Sequence, residues 1–309
     1  SVTVTIGNAS SQYGEKIDLS GVSVTYSNNL PKDGLKVEIT TDATEESVVN
    51  GYLIYLLDNY DDANYNVTVN YGTYTVMQRQ VSVTLTAGGG EYASENITPV
   101  SYSQVLDRNG QDILDFVKGK LTLTVTYTGV ANSGESFTNS TVMPKLAGTY
   151  IATVRGSGNA NFIIVGEPFT QFVITQKEVD ASKLVIANAV YDKQSHKPVV
   201  SVPEQYRDMF YFDDNGVEKL VFTQYEKEFT YAATHIFVLT LNDEFNYKWK
   251  SSDVAEREVQ FVIEKADNEL IGNIAINGWQ FGDYDAAVNS PNAEVKFGGD
   301  RIVFFYFVA

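Results

Sequence analysis

Apolar and polar residues alternate along most of this chain with a period of two. The clearest stretches are Val2–Ile6, Leu35–Ile39, Val67–Val69, Val81–Leu85 and Leu121–Val125. Successive side chains of a β-strand point to opposite faces, so this pattern indicates strands with one buried and one solvated face. Turn residues separate the stretches at 28–34, 88–90, 157–159 and 213–216. Many short strands with such turns predict an all-β sandwich or barrel.

Helical patterns are confined to two short segments. Residues Gln111–Lys118 place four apolar side chains on one side, and Pro203–Phe210 begins with a proline, which the first turn of a helix tolerates. We predict a short helix at each place.

A longer pattern occurs three times. The copies read GYLIYLLDNYDDANYNV at 51–67, GTYIATVRGSGNANFIIV at 148–165 and ATHIFVLTLNDEFNYKW at 233–249. Each is followed by a strand that ends on a basic residue, at 74–79, 172–177 and 261–265. Repetition at this spacing predicts a series of related modules.

The closing strands define the module limits. We predict modules at 1–79, 80–177 and 178–265, and a partial fourth module at 266–309. Between the first two modules, only Gln78-Arg79-Gln80 separates two alternating stretches. Such short junctions predict a stiff or hinge-limited, elongated rod of β-sandwiches, since flexible chains of modules need longer linkers.

The fourth copy is incomplete. Its segment Ile274–Asp283 parallels the opening of the first module, and residues 301–308 are almost wholly apolar. An exposed apolar strand favours association. The segment therefore folds back on the third module, pairs with a second molecule, or is followed by further chain, and we favour the last alternative.

The shared motifs resemble a known family. The aromatic–Gly pairs Tyr13-Gly14 and Phe281-Gly282, the Gly-x-Tyr strand, the Asn–aromatic step and the closing strand are similar to the MBG-type (YGX) bacterial repeats. That resemblance implies immunoglobulin-like β-sandwich modules of extracellular proteins at the bacterial cell surface or cell wall. It implies a structural or adhesive role, with neighbouring modules and host or cell-wall glycans or proteins as partners. Residues 91–93 and 190–192 lack the glycine.

We interpret the motif residues as structural. Gly14 supplies either a positive φ or room for a close approach, and Tyr13 closes one end of a core. The Asn–aromatic pairs combine a turn asparagine with the first aromatic residue of a core strand. These pairs are Asn64-Tyr65, Asn161-Phe162 and Asn246-Tyr247. Tyr65 and Tyr247 are further candidates for a hydroxyl bond to backbone, like that of immunoglobulin tyrosine corners.

Charge and composition exclude several functions. The net charge is −17 without a basic cluster, which argues against nucleic acid and anionic membranes as partners. The absence of cysteine excludes disulfides, thiolate catalysis and cysteine-ligated zinc. The sequence shows neither a signal peptide nor an apolar run long enough to cross a membrane.

Aromatic residues are the candidates for ligand binding. Tyr52 and Tyr55 lie in a tyrosine-rich stretch, and Trp249 and Trp279 are the two tryptophans. If exposed, such rings stack on sugars or peptides. The alternative is that they pack in or beside the cores. An adhesin or carbohydrate-binding module is therefore the second functional hypothesis beside a structural stalk.

An acidic loop offers the candidate metal site. Asp58, Asp61 and Asp62 lie close together, and calcium prefers several carboxylate oxygens. Their spacing is not that of an EF-hand, and the other copies lose most of the acids, so a solvated turn is the alternative. His196 and His235 make a poor metal site.

No enzymatic activity is predicted. The chain lacks nucleophile-elbow and phosphate-loop motifs. Carboxylate pairs such as Glu226 and Glu228 are expected by chance among 39 acids. No cofactor is predicted apart from the calcium alternative. An intramolecular Lys–Asn bond would need a buried lysine, such as Lys36 or Lys120.

Overall fold

The computed structural model describes residues 1–27, 37–58, 65–93, 97–212, 215–276 and 291–296. These residues are almost entirely in strands and turns, arranged in several small sheets. The prediction of an all-β fold of tandem sandwich modules is confirmed. The chain divides into two compact units, Ser1–Thr175 and Gln176–Ala309. The four module limits remain predictions.

The first unit begins with a sandwich of seven strands. They are β1 (Val2–Ile6), β2 (Ala9–Gln12), β3 (Val24–Tyr26), β4 (Ile39–Thr41), β5 (Asn50–Leu56), β6 (Val67–Asn70) and β7 (Gly72–Met77). One sheet has the order β3-β1-β6 and the other β2-β7-β5-β4. The alternating residues Val2, Val4 and Ile6 of β1 pack with Ile54 and Tyr74 in the core. The alternation therefore identifies the buried face correctly.

A second sandwich completes this unit. Its elements are β8 (Arg79–Thr86), β9 (Gly90–Glu91), β10 (Ser101–Asp107), α1 (Leu114–Val117), β11 (Thr122–Ala131), β12 (Ser136–Ser140), β13 (Gly148–Ser157), β14 (Phe162–Ile164) and β15 (Phe169–Thr175). Its sheets are β10-β8-β14 and β12-β11-β13-β15-β9. One apolar cluster surrounds Val81, Val105 and Val117, and another surrounds Tyr150 and Phe172.

The second unit contains the third sandwich. Its strands are β16 (Lys177–Val179), β17 (Val185–Ile186), β18 (Ala189–Val190), β19 (Val200–Ser201), β20 (Phe210–Phe212), β21 (Glu218–Leu220), β22 (Phe222–Gln224), β23 (Ala233–Leu241), β24 (Tyr247–Trp249) and β25 (Glu256–Glu264). Its largest sheet has the order β18-β25-β23-β22. An antiparallel pair, β26 (Leu270–Ile276) and β27 (Pro291–Val295), follows.

The repeat is visible in the strand pairing. The first strand of each copy runs parallel to the strand after the Asn–aromatic step, in β1–β6, β8–β14 and β16–β24. The register is the same in all three, because the partners are Val2 and Val67, Val81 and Ile164, and Val179 and Trp249. All three of these first-strand valines are buried. The three copies thus share this parallel strand pair and its register.

Both predicted helices are present in shortened form. The segment Gln111–Lys118 contains α1, and Pro203–Phe210 contains a 3-10 helix at Glu204–Met209. A further 3-10 helix spans Ala181–Lys183. The predicted fourth-copy motif Phe281-Gly282 and the apolar stretch 301–308 lie outside the described residues.

Candidate functional site

The most unusual chemistry in the described chain lies where the first sandwich meets the second. We call this region the junction, and the Arg79 cluster is the set Arg79, Glu15, Asp107 and Arg108. A single residue, Gln78, separates β7 from β8. The strand that closes one sandwich therefore continues almost directly into the strand that opens the next.

Backbone bonds place Arg79 at the start of the second sandwich. Its N–H donates to Asn161 O at 2.7 Å, and β8 pairs Arg79 with Phe162. Gln78 Nε2 donates to Ala160 O at 2.9 Å. The loop before β14 thus accepts two bonds from the connecting segment, one from backbone and one from a side chain.

The Arg79 side chain is buried among charged partners. Its residue is 7% exposed, and Nη2 donates to Asp107 Oδ2 at 3.0 Å. Nη1 lies 3.6 Å from Glu15 Oε1, while Arg108 Nη2 donates to the other oxygen of Glu15 at 3.0 Å. Two arginines and two carboxylates balance to zero charge. This neutralisation permits burial, because an unpaired buried charge is strongly destabilising.

Local turns hold the two carboxylates ready for Arg79. Asp107 Oδ1 accepts the N–H groups of Gln111 and Asn109 at 3.0 and 2.8 Å. The hydrogen bond from Gln111 N–H is the largest influence on Asp107 and lowers the pKa of this carboxyl. The bond from Asn109 and the charge of Arg79 lower the pKa further, whereas burial raises it. Glu15 Oε2 accepts the N–H of Gln12 at 2.9 Å. Both acids are therefore positioned by their own loops.

Aromatic rings lie beside the charged cluster, with Arg79 Cζ 5.9 Å from the Phe116 ring centroid. Tyr13 meets Phe162 edge-on at 5.4 Å between ring centroids and Phe116 at 6.0 Å. Lys120 Nζ lies 3.7 Å from the Phe116 ring centroid. Tyr13 packs against the apolar cluster of the first sandwich and also against that of the second. One side chain therefore contributes to two cores.

Gly14 cannot readily carry a side chain. Its φ is +76°, and a Cβ there would lie 2.2 Å from Phe116 Cζ. The corresponding residue of the second copy is Ala93, since Tyr13 and Tyr92 both donate their N–H to the closing strand. Ala93 keeps a positive φ of +54°, whereas in the third copy the positive φ moves to Lys193. The turn is thus shared by two copies and shifted in the third.

The asparagine side chains of the Asn–aromatic pairs have different partners in the second and third copies. Asn161 Oδ1 accepts the N–H of Val49 at 2.9 Å, which links the second sandwich to the first. Asn246 Nδ2 instead donates to Asp243 Oδ2 within its own turn. Phe162 and Tyr247 are buried and Tyr65 is half-buried, whereas Asn64 lies outside the described residues.

A side-chain bond to the carbonyl four residues earlier recurs at another position. Tyr52 donates to Val48 O and Tyr150 to Leu146 O, both at 2.9 Å. His235 Nε2 makes the corresponding bond to Tyr231 O at 2.7 Å. These residues are equivalent, because each faces the same aromatic position of the closing strand. The candidates for such a bond from the sequence, Tyr65 and Tyr247, lie at a different position of the repeat.

The candidate ligand-binding aromatics that the structure describes, Tyr52, Tyr55 and Trp249, each donate a hydrogen bond within the protein. Trp249 is 0% exposed and donates its indole N–H to Ala255 O at 2.7 Å. The prediction that Trp249 offers a ring to a ligand is therefore wrong. Tyr55 donates its hydroxyl to Asp42 Oδ1 at 2.6 Å, which raises the pKa of the tyrosine. Trp279 lies outside the described residues.

The candidate metal site is only partly described. Asp58 is exposed, whereas Asp61 and Asp62 lie outside the described residues. In the part of the chain that the structure describes, no group of three or more His, Asp or Glu side chains could hold a metal ion. Of the lysines considered for a Lys–Asn bond, Lys120 is exposed and Lys36 is not described. No described helix is long and apolar enough to cross a membrane.

The Arg79 cluster is not evident from the sequence. A basic residue ends each closing strand, but the sequence pattern assigns no partner to Arg79. The available signal was the repeated Gln–basic pair, Gln78-Arg79 and Gln176-Lys177, at equal positions of two copies. Charged residues that recur at a strand junction are candidates for buried pairs.

No protein-family model and no curated protein sequence matches this chain. Among solved structures, it is similar to three N-terminal domains of the bacteriophage RB49 outer capsid protein Hoc, with 12% identity and a TM-score of 0.24 over 80% of this chain and 93% of that one. Sidekick-1 immunoglobulin domains 1–4 match with 9% identity and a TM-score of 0.20, over 84% and 74%. Drosophila N-cadherin EC1-4 matches with 8% identity and a TM-score of 0.22, over 85% of this chain and 75% of that one. These TM-scores are too low to support a functional argument.

Proposed function

We propose that this chain is a non-enzymatic structural segment of a bacterial cell-surface protein. Its sandwiches would act as a stalk that carries other parts of a longer polypeptide. The repeated residues support this role, since Tyr13, Gly14, Tyr150 and Trp249 serve packing or backbone bonding.

The observation that carries the proposal is the burial of Arg79 at the junction. A buried arginine with two carboxylate partners is unnecessary for folding a sandwich, because apolar residues of similar volume stabilise a core at least as well. Its position between two sandwiches instead favours a role in holding modules together. Holding modules in a defined order is the work of a stalk.

The bacterial surface enters the proposal through the resemblance to MBG-type repeats. Freedom from cysteine and a net charge of −17 are compatible with an exposed, soluble surface segment. The test is immunogold labelling of intact source cells with antibodies raised against this chain. Labelling at the cell envelope is expected, and labelling confined to the cytoplasm would overturn the proposal.

An adhesive role is the second candidate. Tyr225 and Tyr231 are 67% and 75% exposed and lie between β22 and β23 in the second unit. Exposed tyrosines are frequent anchors of recognition surfaces. A glycan array with the full chain tests this role, with Tyr225→Ala/Tyr231→Ala as the variant. Tyr71→Ala, which changes an exposed tyrosine of the first unit, is the matched control.

The two candidates predict different array results. Saturable binding that the double variant removes and the control retains would establish the adhesive role. Absence of binding across the array, together with envelope labelling, is the result expected for the stalk.

The proposed stalk needs no cofactor. Calcium binding by Asp58, Asp61 and Asp62 is checked by thermal unfolding in EDTA and in millimolar calcium. An unchanged transition is expected for a solvated acidic turn, whereas stabilisation that Asp61→Asn removes would establish a calcium site.

A further inference from the structure

We propose that the Arg79 cluster joins the first two sandwiches into one cooperative unit with a fixed relative orientation. Residues 1–175 would then unfold as one unit, and the two sandwiches would keep one relative orientation. This inference concerns the fold itself and stands whether or not the chain is a surface stalk.

The contacts across the junction come from separate loops. Glu15, after β2, pairs with Arg79 and with Arg108 of the second sandwich. Val49, before β5, donates its N–H to Asn161. With the covalent connection at Gln78 and the bond that Gln80 N–H donates to Gln12 Oε1 at 3.3 Å, the two sandwiches are held by contacts from several loops. Contacts from separate loops oppose rotation as well as separation.

The cores are coupled by the same region. Tyr13 packs in the apolar clusters of both sandwiches, and its ring meets Phe116 and Phe162 of the second. Unfolding of the second sandwich would therefore expose part of the first core. Contacts of this kind make local unfolding events cooperative.

The ion pairs of the Arg79 cluster also oppose separation of the two sandwiches. Arg79 takes one carboxylate from each sandwich, Glu15 from the first and Asp107 from the second. Opening the junction would remove Glu15 and leave Asp107 as the single acid on Arg79. A guanidinium with fork geometry is suited to such paired recognition, and lysine is a poor replacement.

Spin-label distance measurements on the full chain test the fixed orientation. The chain has no cysteine, so Thr75→Cys and Thr149→Cys can be labelled selectively. Both threonines are exposed, one on β7 of the first sandwich and one on β13 of the second. We expect one narrow distance distribution, which Arg79→Ala broadens at least twofold. Arg155→Ala, at an exposed arginine of β13, is the matched control and should leave the width unchanged.

Two results would overturn the proposal. One is a broad distribution in the otherwise unchanged chain, and the other is a narrow distribution that survives Arg79→Ala. Asn161→Ala, which removes only the bond from Val49, provides a milder variant and should give an intermediate width.

Hydrogen exchange covers the case in which Arg79→Ala destabilises the fold. For a single cooperative unit, the protection factors of β1 and β13 should fall by the same factor. Loss of protection in β13 alone would show that the two sandwiches unfold independently, and that result would contradict the inference.

Discussion

The second and third sandwiches each begin with the same main-chain hydrogen bond, but the basic side chain at that position differs. Arg79 donates its N–H to Asn161 O, and Lys177 donates its N–H to Asn246 O. The preceding glutamines also bond to this loop, but Gln78 donates to Ala160 O, one residue before the asparagine, and Gln176 to Glu244 O, two residues before it. The main-chain bond to the asparagine carbonyl is therefore the feature that both copies repeat.

The side chains differ in burial and in charge partners. Arg79 is 7% exposed and contacts two carboxylates. Lys177 is half-buried and, among described residues, is within ion-pair distance of no carboxylate. Its neighbours Glu178 and Asp180 form ion pairs with Lys248 and Lys250 at the surface. The same main-chain connection is therefore compatible with a buried charge cluster in one copy and with surface ion pairs in the other.

Substitution of the two basic residues should separate these cases most strongly. Arg79→Met leaves Asp107 and Glu15 without their buried partner, so we expect residues 1–175 to lose about 3–5 kcal/mol in unfolding free energy. Lys177→Met should cost about 1 kcal/mol or less, as for exposed charges. Urea unfolding followed by circular dichroism measures the loss. Tryptophan emission reports on residues 176–309 alone, because both tryptophans lie there.

The control for this experiment is Arg155→Met, which removes an exposed arginine of the first unit. It should leave both transitions unchanged. Equal losses for Arg79→Met and Lys177→Met would remove the distinction between the two connections.

We expect the next largest change in stability from substitutions in the turn that contains Gly14 and in its equivalent in the second copy. Gly14→Ala adds a left-handed alanine and a clash with Phe116, which we expect to destabilise the first unit by about 2–3 kcal/mol. Ala93→Gly at the equivalent turn should stabilise by about 1 kcal/mol or less, because it relieves the positive φ. Thermal unfolding of the full chain compares the two, and destabilisation by both changes would contradict the equivalence.

The recurring bond to the carbonyl four residues earlier should matter more where it is buried. Tyr150 is 0% exposed, so Tyr150→Phe should cost about 1–1.5 kcal/mol through the lost bond to Leu146 O. Tyr52→Phe, at a half-buried ring, should cost about 0.5 kcal/mol. Urea midpoints measure both losses, and Tyr127→Phe is a control at another buried tyrosine of the first unit. A smaller loss for Tyr150→Phe than for Tyr52→Phe would contradict the ranking.

Acid should weaken the junction in a defined pH range. The pKa of Asp107 is lowered from 3.8, so its contribution is complete above pH 3.8 and is lost as pH falls through the lower, folded value. The pKa of Asp180 falls to about 2, chiefly through bonds from Ser182 and Lys250, but this carboxylate is at the surface and should contribute little. Asp107→Asn should flatten the acid limb for residues 1–175. Thermal unfolding from pH 5 to pH 2 checks this, with Asp180→Asn as the control.

The strands, the repeat and the two short helices are predictable from the amino-acid sequence alone. Alternation identifies buried positions such as Val2 and Val4 without a structure, because the pleat puts every second side chain on one face. The repeated segments likewise predict three equivalent copies, and the parallel pairing of their first strands matches. These features depend on local periodicity, which a single chain displays directly.

The contacts at the junction and the burial of individual aromatic residues, in contrast, depend on how the strands pack in three dimensions. Glu15, Arg79 and Asp107 are far apart in the chain, and their contact depends on how two sandwiches pack. Trp249 follows the same alternating pattern as other strand residues, so the sequence does not show that it is fully buried. Its burial depends on the residues packed against it. Periodicity indicates one buried face, but the identity of the partner on that face is a property of the assembled fold.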